Sequence, residues 1–353
     1  MDLNNLTLFF VIFFFSLFFF KYFALVLKKY RPKILIDNQL SKPQAFHQSP
    51  TSVIGGLGFL FSFLIIYLYY GFFKNIFFLE YLTFCTLIFF IGFIDDLKIN
   101  IKATTRLASM IVVLISLIKY NSFYVESTGI EILNNWIANS EIFSLIFICL
   151  CFLFIINGAN LIDGYNGLLG IHSLIIFLNL FLVNFFNENY DLANFLFFEI
   201  IILVVFLKYN FPKAKIFLGD GGAYFLGSFI AISAIQTSIA NPGISPFYFC
   251  ILLFYLFFEV FFSFLRKLIK EKTSPVHPDK KHLHMLLYKI LIKKYNSKLK
   301  SNYYVSLIIN TIFFLLTIPA IFMMKDGMFC KYYSVLFFVT YIFSYKIALT
   351  KIK

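Results

Sequence analysis

The chain has 353 residues, of which 61% are hydrophobic and 13% are charged, and its mean hydropathy is +0.86. A soluble domain is about a quarter charged, so this composition excludes one and predicts an all-α polytopic membrane protein. The apolar runs are long and unbroken, whereas a β-barrel would show short alternating segments. The net charge of +13 invites a nucleic-acid interpretation, but its distribution along the chain favours membrane orientation.

Eleven apolar segments predict eleven transmembrane helices in one membrane domain that covers residues 1–353. They are Leu6–Leu27, Ser52–Phe73, Ile76–Ile94, Thr105–Ile118, Ile142–Ile156, Leu168–Phe186, Leu192–Leu207, Ala223–Ser238, Pro246–Leu265, Tyr303–Met324 and Tyr332–Ala348. The first has no basic n-region and no small-residue cleavage site, which indicates a retained helix. Apolar residues at helical spacing also predict an amphipathic helix over Asp279–Lys294.

Positive charge separates between alternate loops. Twenty-five of the 30 Lys and Arg residues lie on one side, together with the C-terminus, when Arg106 and Lys346 in the adjoining helix ends are counted. The loops on that side are 28–51, 95–105, 157–167, 208–222 and 266–302. By the positive-inside rule this side is predicted to be cytoplasmic, with the N-terminus outside and the active face formed by these loops.

Four carboxylates of this predicted cytoplasmic side lie close to the ends of apolar spans: Asp95, Asp96, Asp163 and Asp220. We expect them at similar depth in the membrane, where unpaired carboxylates are costly. Carboxylates that converge without compensation repel one another, and a divalent cation is the natural solution. Ligands that are all oxygen favour Mg²⁺, or Mn²⁺, over zinc or copper.

The polar run Asn157–Leu168 is the strongest of three polar clusters, because Asn157, Asn160 and Asp163 can share one face of a final helical turn. In the second cluster, Asp95-Asp96 precedes Lys98, Lys102 and Arg106. In the third, the glycines around Asp220 let backbone N–H groups approach phosphate oxygens. The alternatives are solvated ion pairs for the second cluster and a helix-capping aspartate for the third.

Three of the five histidines lie in the segment that ends at His284, where His282 and His284 are flanked by lysines. They could bind phosphate or a uracil carbonyl, and a zinc site is disfavoured because no cysteine lies nearby. Glu199 and Glu259, within apolar spans, are either proton-relay groups or protonated acids bonded to neighbouring helices. The second interpretation is favoured, and they receive no role.

Five segments occur in an order that resembles the polyprenyl-phosphate N-acetylhexosamine-1-phosphate transferases (glycosyltransferase family 4). They are Lys42-Pro43…His47…Pro50 with Gly55-Gly56, Gly92–Asp96, Asn157–Leu168, Pro212–Asp220 and Pro278–His284. The family includes enzymes that start O-antigen and teichoic-acid linkage synthesis, and the phospho-MurNAc-pentapeptide translocase. Its fold of ten or eleven helices agrees with the helix count above.

The resemblance implies transfer of a HexNAc-1-phosphate from a UDP-sugar to undecaprenyl phosphate in a bacterial inner membrane, with release of UMP. It implies Asp220 as a Mg²⁺ ligand, with Asn160 as a second. Asp95 or Asp96 would position or deprotonate the lipid phosphate, and Asp163 would support the nucleotide or the metal. The residues that would contact substrates are Lys102, Arg106, Asn157, Phe217, His282, His284 and His47, with Phe217 stacking on uracil.

Two departures from the family pattern leave alternatives open. Asn166 stands where many bacterial members carry an aspartate, and Met285 where many carry a further histidine. The absent histidine triplet argues against a muramyl-pentapeptide substrate, although that transferase remains the second interpretation. A transporter or lipid flippase and an inactive scaffold are the alternatives from other classes. The identity of the sugar is left open, as is the question whether the protein forms a homodimer. It is also left open whether the acceptor phosphate attacks directly or the reaction passes through a covalent intermediate.

Overall fold

The computed structural model describes residues 3–30, 35–37, 50–99, 101–125, 127–274 and 279–352. These residues form α1 (Leu3–Phe18), α2 (Ala24–Tyr30), α3 (Gly55–Tyr69), α4 (Leu79–Asp96), α5 (Ala103–Tyr120), α6 (Glu131–Asn139), α7 (Glu141–Ile162), α8 (Leu168–Phe186), α9 (Tyr190–Asn210), α10 (Gly219–Ala240), α11 (Pro246–Leu252), α12 (Phe254–Leu265), α13 (Leu283–Tyr295), α14 (Lys298–Phe322) and α15 (Gly327–Ile352). Short π-helical segments extend three of the helices, at Phe19–Phe23, Tyr70–Lys74 and Arg266–Glu271. The predicted all-α fold is confirmed.

Nine helical segments of the described chain are long and apolar enough to cross a membrane. They are Asn4–Leu27, Gly55–Lys74, Ala103–Tyr120, Glu141–Ile162, Leu168–Phe186, Tyr190–Asn210, Gly219–Ala240, Lys298–Phe322 and Gly327–Ile352. α11 and α12 meet at a bend of 74°, and counting this pair as one span gives ten. α4, with three acidic residues in 18, is not among these segments, so the described chain shows nine or ten spans where the sequence predicted eleven. The orientation of the termini stays a prediction.

Several predicted loops are shorter than expected, because the flanking helices extend into them. α7 continues to Ile162 and takes in the first half of the predicted 157–167 loop. The Asn157 side chain bonds back to the carbonyl of Leu153 at 2.8 Å, so its polarity does not end the helix. α10 begins at Gly219, which reduces the predicted 208–222 loop in the same way. The predicted loops 95–105 and 266–302 likewise contain helix ends and α13.

Two further differences concern whole helices. The predicted span Pro246–Leu265 is broken into α11 and α12. α6 was not predicted, because it is amphipathic and only nine residues long and lacks the long apolar run that marked the other helices. The predicted amphipathic helix at Asp279–Lys294 is present as α13.

A small sheet joins two chain segments that are distant in sequence. β1 (Ile36–Asp37) pairs antiparallel with β2 (Thr51–Val53), and β2 pairs parallel with β3 (Ile216–Phe217). Beyond the strands, the N–H of Gly56 donates to the carbonyl of Leu218 at 2.8 Å. The start of α3 therefore lies directly beside the start of α10.

The core is centred on α10, which is buried over most of its length and packs against α3, α4, α7 and α8. Glycines permit close contact at these crossings. A Cβ added to Gly56 on α3 would lie 2.5 Å from the backbone nitrogen of Gly222 on α10. Small residues of this kind let membrane helices approach each other closely. Close packing fixes the positions of the helix ends that carry the polar clusters.

Candidate active site

Polar side chains from four helices meet where the ends of α4, α5, α7 and α10 come together. The Arg106 guanidinium donates to Asp95 and to Oδ2 of Asp220, the latter at 3.2 Å. Asn160 donates its Nδ2 to Oδ1 of Asp220 at 2.9 Å. We call these four residues the Arg106 cluster. The Asp220 side chain is 40% exposed, against 21% for Asp95, so Asp220 is the carboxylate of the cluster that a ligand can reach most easily.

Asp96, although adjacent to Asp95, has a different partner. Its carboxylate accepts hydrogen bonds from the backbone N–H groups of Asp220 at 2.8 Å and Gly221 at 2.9 Å. It thus satisfies N–H groups that have no partner within α10, and places negative charge at the positive end of that helix. Gly219 has φ +84°, and a Cβ there would lie 2.7 Å from Asp96 Oδ2. Asp96 therefore caps α10, while the Asp220 side chain is directed to Arg106 and Asn160.

Asp163 follows the last residue of α7 and is partly buried. Its pKa is well above the ordinary range of an aspartate, because burial penalises the charged form and the nearby carboxylates of Asp220 and Asp96 repel it. Three of the four predicted carboxylates therefore interact with one another. A cation placed among them would relieve this repulsion.

The donors present fit a Mg²⁺ ion that shares its coordination shell with a substrate. Among the described residues, no three His, Cys, Asp or Glu side chains are grouped as a closed metal cage. Asp220 and Asn160 both carry side-chain oxygens and lie in direct contact. Mg²⁺ is commonly bound by one or two carboxylates, with waters and substrate phosphates as its other ligands. Coordination by Asp220 and Asn160 stays a prediction.

The small sheet brings the first loop to this site. Val53 of β2 pairs with Phe217 of β3, three residues before Asp220. Phe217 is partly buried, and its predicted stacking on uracil remains untested. His47, also predicted to bind substrate, lies in the connection between β1 and β2, outside the described residues.

Lys102 and Asn157 flank the cluster on α5 and α7. Lys102 is exposed, and its carbonyl accepts the N–H of Arg106 at 3.0 Å in the first turn of α5. Its backbone is therefore one helical turn before that of Arg106. Asn157 lies nearly one turn before Asn160, with its amide bonded to Leu153. Their predicted substrate contacts remain predictions.

His282 and His284 are placed next to the Asn157–Leu168 run but are buried, with 4% and 0% exposure. Their rings are parallel with centroids 5.5 Å apart, and the His284 ring meets the edge of Tyr165 at 5.7 Å. Burial, followed by the neighbouring His282, lowers the pKa of His284 to about 4, although Glu259 opposes this shift. His284 is therefore neutral at physiological pH. Phosphate binding by either ring stays a prediction.

Glu259 anchors this histidine segment, a role that was not predicted from the sequence. Its Oε1 is 3.1 Å from His282 Nδ1 and accepts the N–H of Leu283 at 3.0 Å, and its Oε2 accepts the Tyr341 hydroxyl at 2.6 Å. The contact to Tyr341 on α15 agrees with the expected bond to a neighbouring helix, but for Glu199 that expectation is wrong, since neither of its carboxyl oxygens has a hydrogen-bond partner among the described residues. The signal that could have suggested the histidine contact was a lone glutamate in an apolar span close to a histidine-rich loop.

Asn166, the departure from the family pattern, is used as a hydrogen-bond donor. Its Nδ2 donates to the carbonyl of Pro212 at 2.9 Å, across to the segment that leads into β3. A carboxylate could not make this bond, because it carries no N–H. At this position the chain links two parts of the site through an amide.

Comparison with known proteins agrees with this arrangement. The family model described as Glycosyl transferase family 4 matches residues 78–238, which contain every residue of the Arg106 cluster together with Asp96 and Asp163. The chain belongs to this family of polyprenyl-phosphate sugar-1-phosphate transferases. The resemblance inferred from the motifs is confirmed.

Individual relatives fall into two groups. A phospho-N-acetylmuramoyl-pentapeptide-transferase of Dictyoglomus turgidum is 32% identical over 240 residues, which is 66% of this chain and 75% of that protein. One of Prochlorococcus marinus is 32% identical over 240 residues, covering 61% and 65% of the two chains. An undecaprenyl-phosphate alpha-N-acetylglucosaminyl 1-phosphate transferase of Thermotoga maritima is 31% identical over 139 residues, covering 39% and 41%. This chain is thus similar to transferases with different sugar donors.

Proposed function

We propose that the protein transfers a HexNAc-1-phosphate from a UDP-sugar to undecaprenyl phosphate and releases UMP, as the priming step of a cell-surface glycan. An oxygen of the lipid phosphate forms a bond to the sugar-linked phosphorus, and the bond from that phosphorus to the oxygen leaving with UMP breaks. The observation that carries the proposal is the Arg106 cluster. In this cluster the Arg106 guanidinium and the Asn160 amide both contact the exposed Asp220 carboxylate, where the helix ends meet. All three residues lie within the region that matches the family.

The proposed chemistry must bring an anionic phosphate to an anionic diphosphate. Arg106 and Lys102 supply positive charge for the phosphates, and such preorganised charge stabilises the transition state. Asp95, bonded to Arg106, orients that guanidinium and positions the acceptor phosphate. Asp220 and Asn160 would hold Mg²⁺, which when bound neutralises charge on the diphosphate and the leaving UMP. Asp163 supports this group, and Phe217 stacks on the uracil base.

A bacterial inner membrane is the proposed location, with the site facing the cytoplasm. The support is the concentration of Lys and Arg on the side of the chain that carries Asp95, Asp163 and Asp220. The same basic surface favours anionic lipid and phosphate.

Phospho-MurNAc-pentapeptide transfer is the second candidate. It is favoured by the Dictyoglomus turgidum and Prochlorococcus marinus relatives, which carry that name. The segment ending in His282-Leu283-His284-Met285 lacks the histidine triplet of that translocase and favours a simpler HexNAc donor. The two candidates share the acceptor and the leaving group and differ only in the sugar.

The test is a transfer assay with purified protein, undecaprenyl phosphate and a panel of labelled donors. The panel contains UDP-GlcNAc, UDP-GalNAc and UDP-MurNAc-pentapeptide, each with Mg²⁺ or with EDTA. We expect label to enter the lipid phase from a HexNAc donor only with Mg²⁺, with one UMP released per lipid labelled. Transfer from the muramyl donor alone would favour the second candidate. No transfer from any donor, by folded protein, would overturn the proposed function.

A matched pair of variants links the activity to the site. Asp220→Asn removes the exposed charge of the cluster, whereas Asp191→Asn makes the same change at the far end of α9, about 30 Å along that helix from Asn210. We expect the first to lose most transfer activity and the second to retain it. Equal activity in the two would show that the Arg106 cluster is not the catalytic centre.

A further inference from the structure

Three polar residues of α14 lie along one face of a helix that is otherwise mostly apolar. Asn302, Ser306 and Asn310 are spaced by four residues, so they form a single stripe. Their exposures are 2%, 0% and 2%. Polar side chains buried in a membrane helix require partners, because unpaired groups are costly there. Each member of the stripe has a backbone partner in one turn, and Asn310 also contacts Nδ1 of His172 on α8 at 3.1 Å.

The stripe binds the backbone of the turn that follows Asp163. Asn302 Oδ1 accepts the N–H of Asn166 at 2.8 Å, and the Ser306 hydroxyl donates to the carbonyl of Asn166 at 2.7 Å. Asn310 Nδ2 donates to the carbonyl of Leu168 at 3.1 Å. Three successive turns of one helix thus hold a segment of three residues. General helix packing would not direct every member of the stripe to backbone groups of a single turn.

Part of the support of the turn is local, because the N–H of Leu168 donates to the carbonyl of Tyr165 at 2.9 Å. α8 begins at Leu168 after Gly167, whose φ of +74° places it in the left-handed region and which has no side chain to cap the helix. Asn210 of α9 accepts the N–H of Gly167 at 2.7 Å, which completes the attachment of the turn. Within the described structure, the bonds to Asn166 and to the N–H of Gly167 therefore come from other helices and from the Pro212 segment.

The attachment is close to the proposed chemistry. Asp163 lies three residues before Asn166, and Asn160 of the Arg106 cluster lies on the last turn of α7 that leads into the same segment. A shift of the turn would move the carboxylate of Asp163, and a misplacement of about 1 Å can cost about a hundredfold in rate. α14 carries no member of the Arg106 cluster, yet it bonds to the backbone three residues after Asp163.

We infer that Asn302, Ser306 and Asn310 are positioning residues that hold the 163–168 turn in its catalytic place. They act through the backbone and not by contact with substrate. The inference rests on the proposed function, since a position is catalytic only if the reaction occurs at this site. Loss of the Asn302 side chain would leave the part-buried N–H of Asn166 without its acceptor, which costs stability.

The test compares Asn302→Leu with Thr317→Val in protein reconstituted in lipid nanodiscs. Thr317 is a fair control because it lies on the same helix and is equally buried at 2% exposure. Among the described residues, its hydroxyl bonds only to the Phe314 carbonyl of its own helix, at 2.8 Å. Two readouts are taken. One is hydrogen exchange of the backbone amides of Asn166 and Gly167, and the other is kcat and KM for the sugar donor.

We expect Asn302→Leu to increase exchange at the turn by about tenfold or more and to lower kcat by about 10- to 100-fold, with a smaller change in KM. Thr317→Val should change neither. Equal exchange in the two variants, or faster exchange with unchanged kcat, would overturn the inference. If Asn302→Leu does not fold, Ser306→Ala removes one bond of the same stripe and must produce the same pattern to a lesser degree.

The two readouts separate this inference from the proposed function. If the wild-type protein transfers no sugar phosphate from any donor, the proposed function is wrong, and exchange still tests whether α14 holds the turn. If the wild-type protein is active and Asn302→Leu behaves like the control, the proposed function stands and the positioning role is wrong.

Discussion

The adjacent aspartates Asp95 and Asp96 offer the sharpest test of the site geometry, because they perform different tasks. Asp96 accepts two backbone N–H groups at the start of α10, at 2.8 and 2.9 Å, whereas Asp95 bonds to the Arg106 side chain. In Asp96→Asn one side-chain oxygen remains as an acceptor, and the other is replaced by an NH₂ group that faces an N–H donor. The loss of one charge-assisted bond is worth about 1.5–3 kcal/mol, to which the helix dipole adds up to about 1 kcal/mol.

This magnitude predicts a local opening of α10 that hydrogen exchange can measure. Since about 1.4 kcal/mol corresponds to a factor of ten, the amides of Asp220 and Gly221 should lose protection by about 10- to 1,000-fold in Asp96→Asn. Asp95→Asn, the matched control, should leave them protected because it removes only a contact to Arg106. Equal protection in the two variants, or loss in Asp95→Asn alone, would refute the assignment of Asp96 as the cap of α10.

Three other variants test separate contacts. Arg106→Gln should lower kcat/KM by about 10²- to 10³-fold in steady-state assays. Arg106→Lys should restore only part of the lost kcat/KM, because an ammonium group cannot bind two oxygens side by side as the planar guanidinium does. Asn166→Asp should lose the hydrogen bond to the Pro212 carbonyl, and its transfer activity should fall by about tenfold. A higher transfer activity would show instead that a carboxylate at this position aids the chemistry. Glu259→Leu should destabilise the protein by about 3–5 kcal/mol in detergent unfolding, because His282 and its neighbouring backbone N–H lose their acceptor. Glu259→Gln should cost less, and equal losses would argue against the anchoring role.

Much of the fold was predictable because it depends on local composition. The long apolar runs identified the spans, since a bilayer imposes a minimum length on each. The carboxylates fell at the ends of these runs, so their common depth followed from chain order. Polarity alone placed the end of α7 too early at Ile156, because Asn157 satisfies its own amide within the helix. A nine-residue amphipathic helix such as α6 gave no comparable signal.

The roles of the individual site residues were not predictable, because they depend on contacts between residues far apart in sequence. Asp95 and Asp96 are neighbours of the same type, and only the position of α10 determines which meets Arg106. Asn302 lies in the first turns of a helix and could equally have faced lipid or solvent. Its role is evident only from its contact with the backbone of Asn166, which is 136 residues away in sequence.

The packing of the helices determines the geometry of the site, because the Arg106 cluster contains one residue from each of α4, α5, α7 and α10. Gly92, one turn before Asp95 and Asp96, shows this directly. A Cβ on Gly92 would lie 2.6 Å from the carbonyl carbon of Asp220. Any side chain at Gly92 must push α4 away from α10. This shift would separate Asp96 from the N–H groups of α10 that it caps. It would also move Asp95 away from the Arg106 guanidinium, which Asp95 and Asp220 share. Sites carried on packed helices hold their geometry better than sites on loops. The close approach at Gly92 is therefore a requirement for bringing two carboxylates to one arginine.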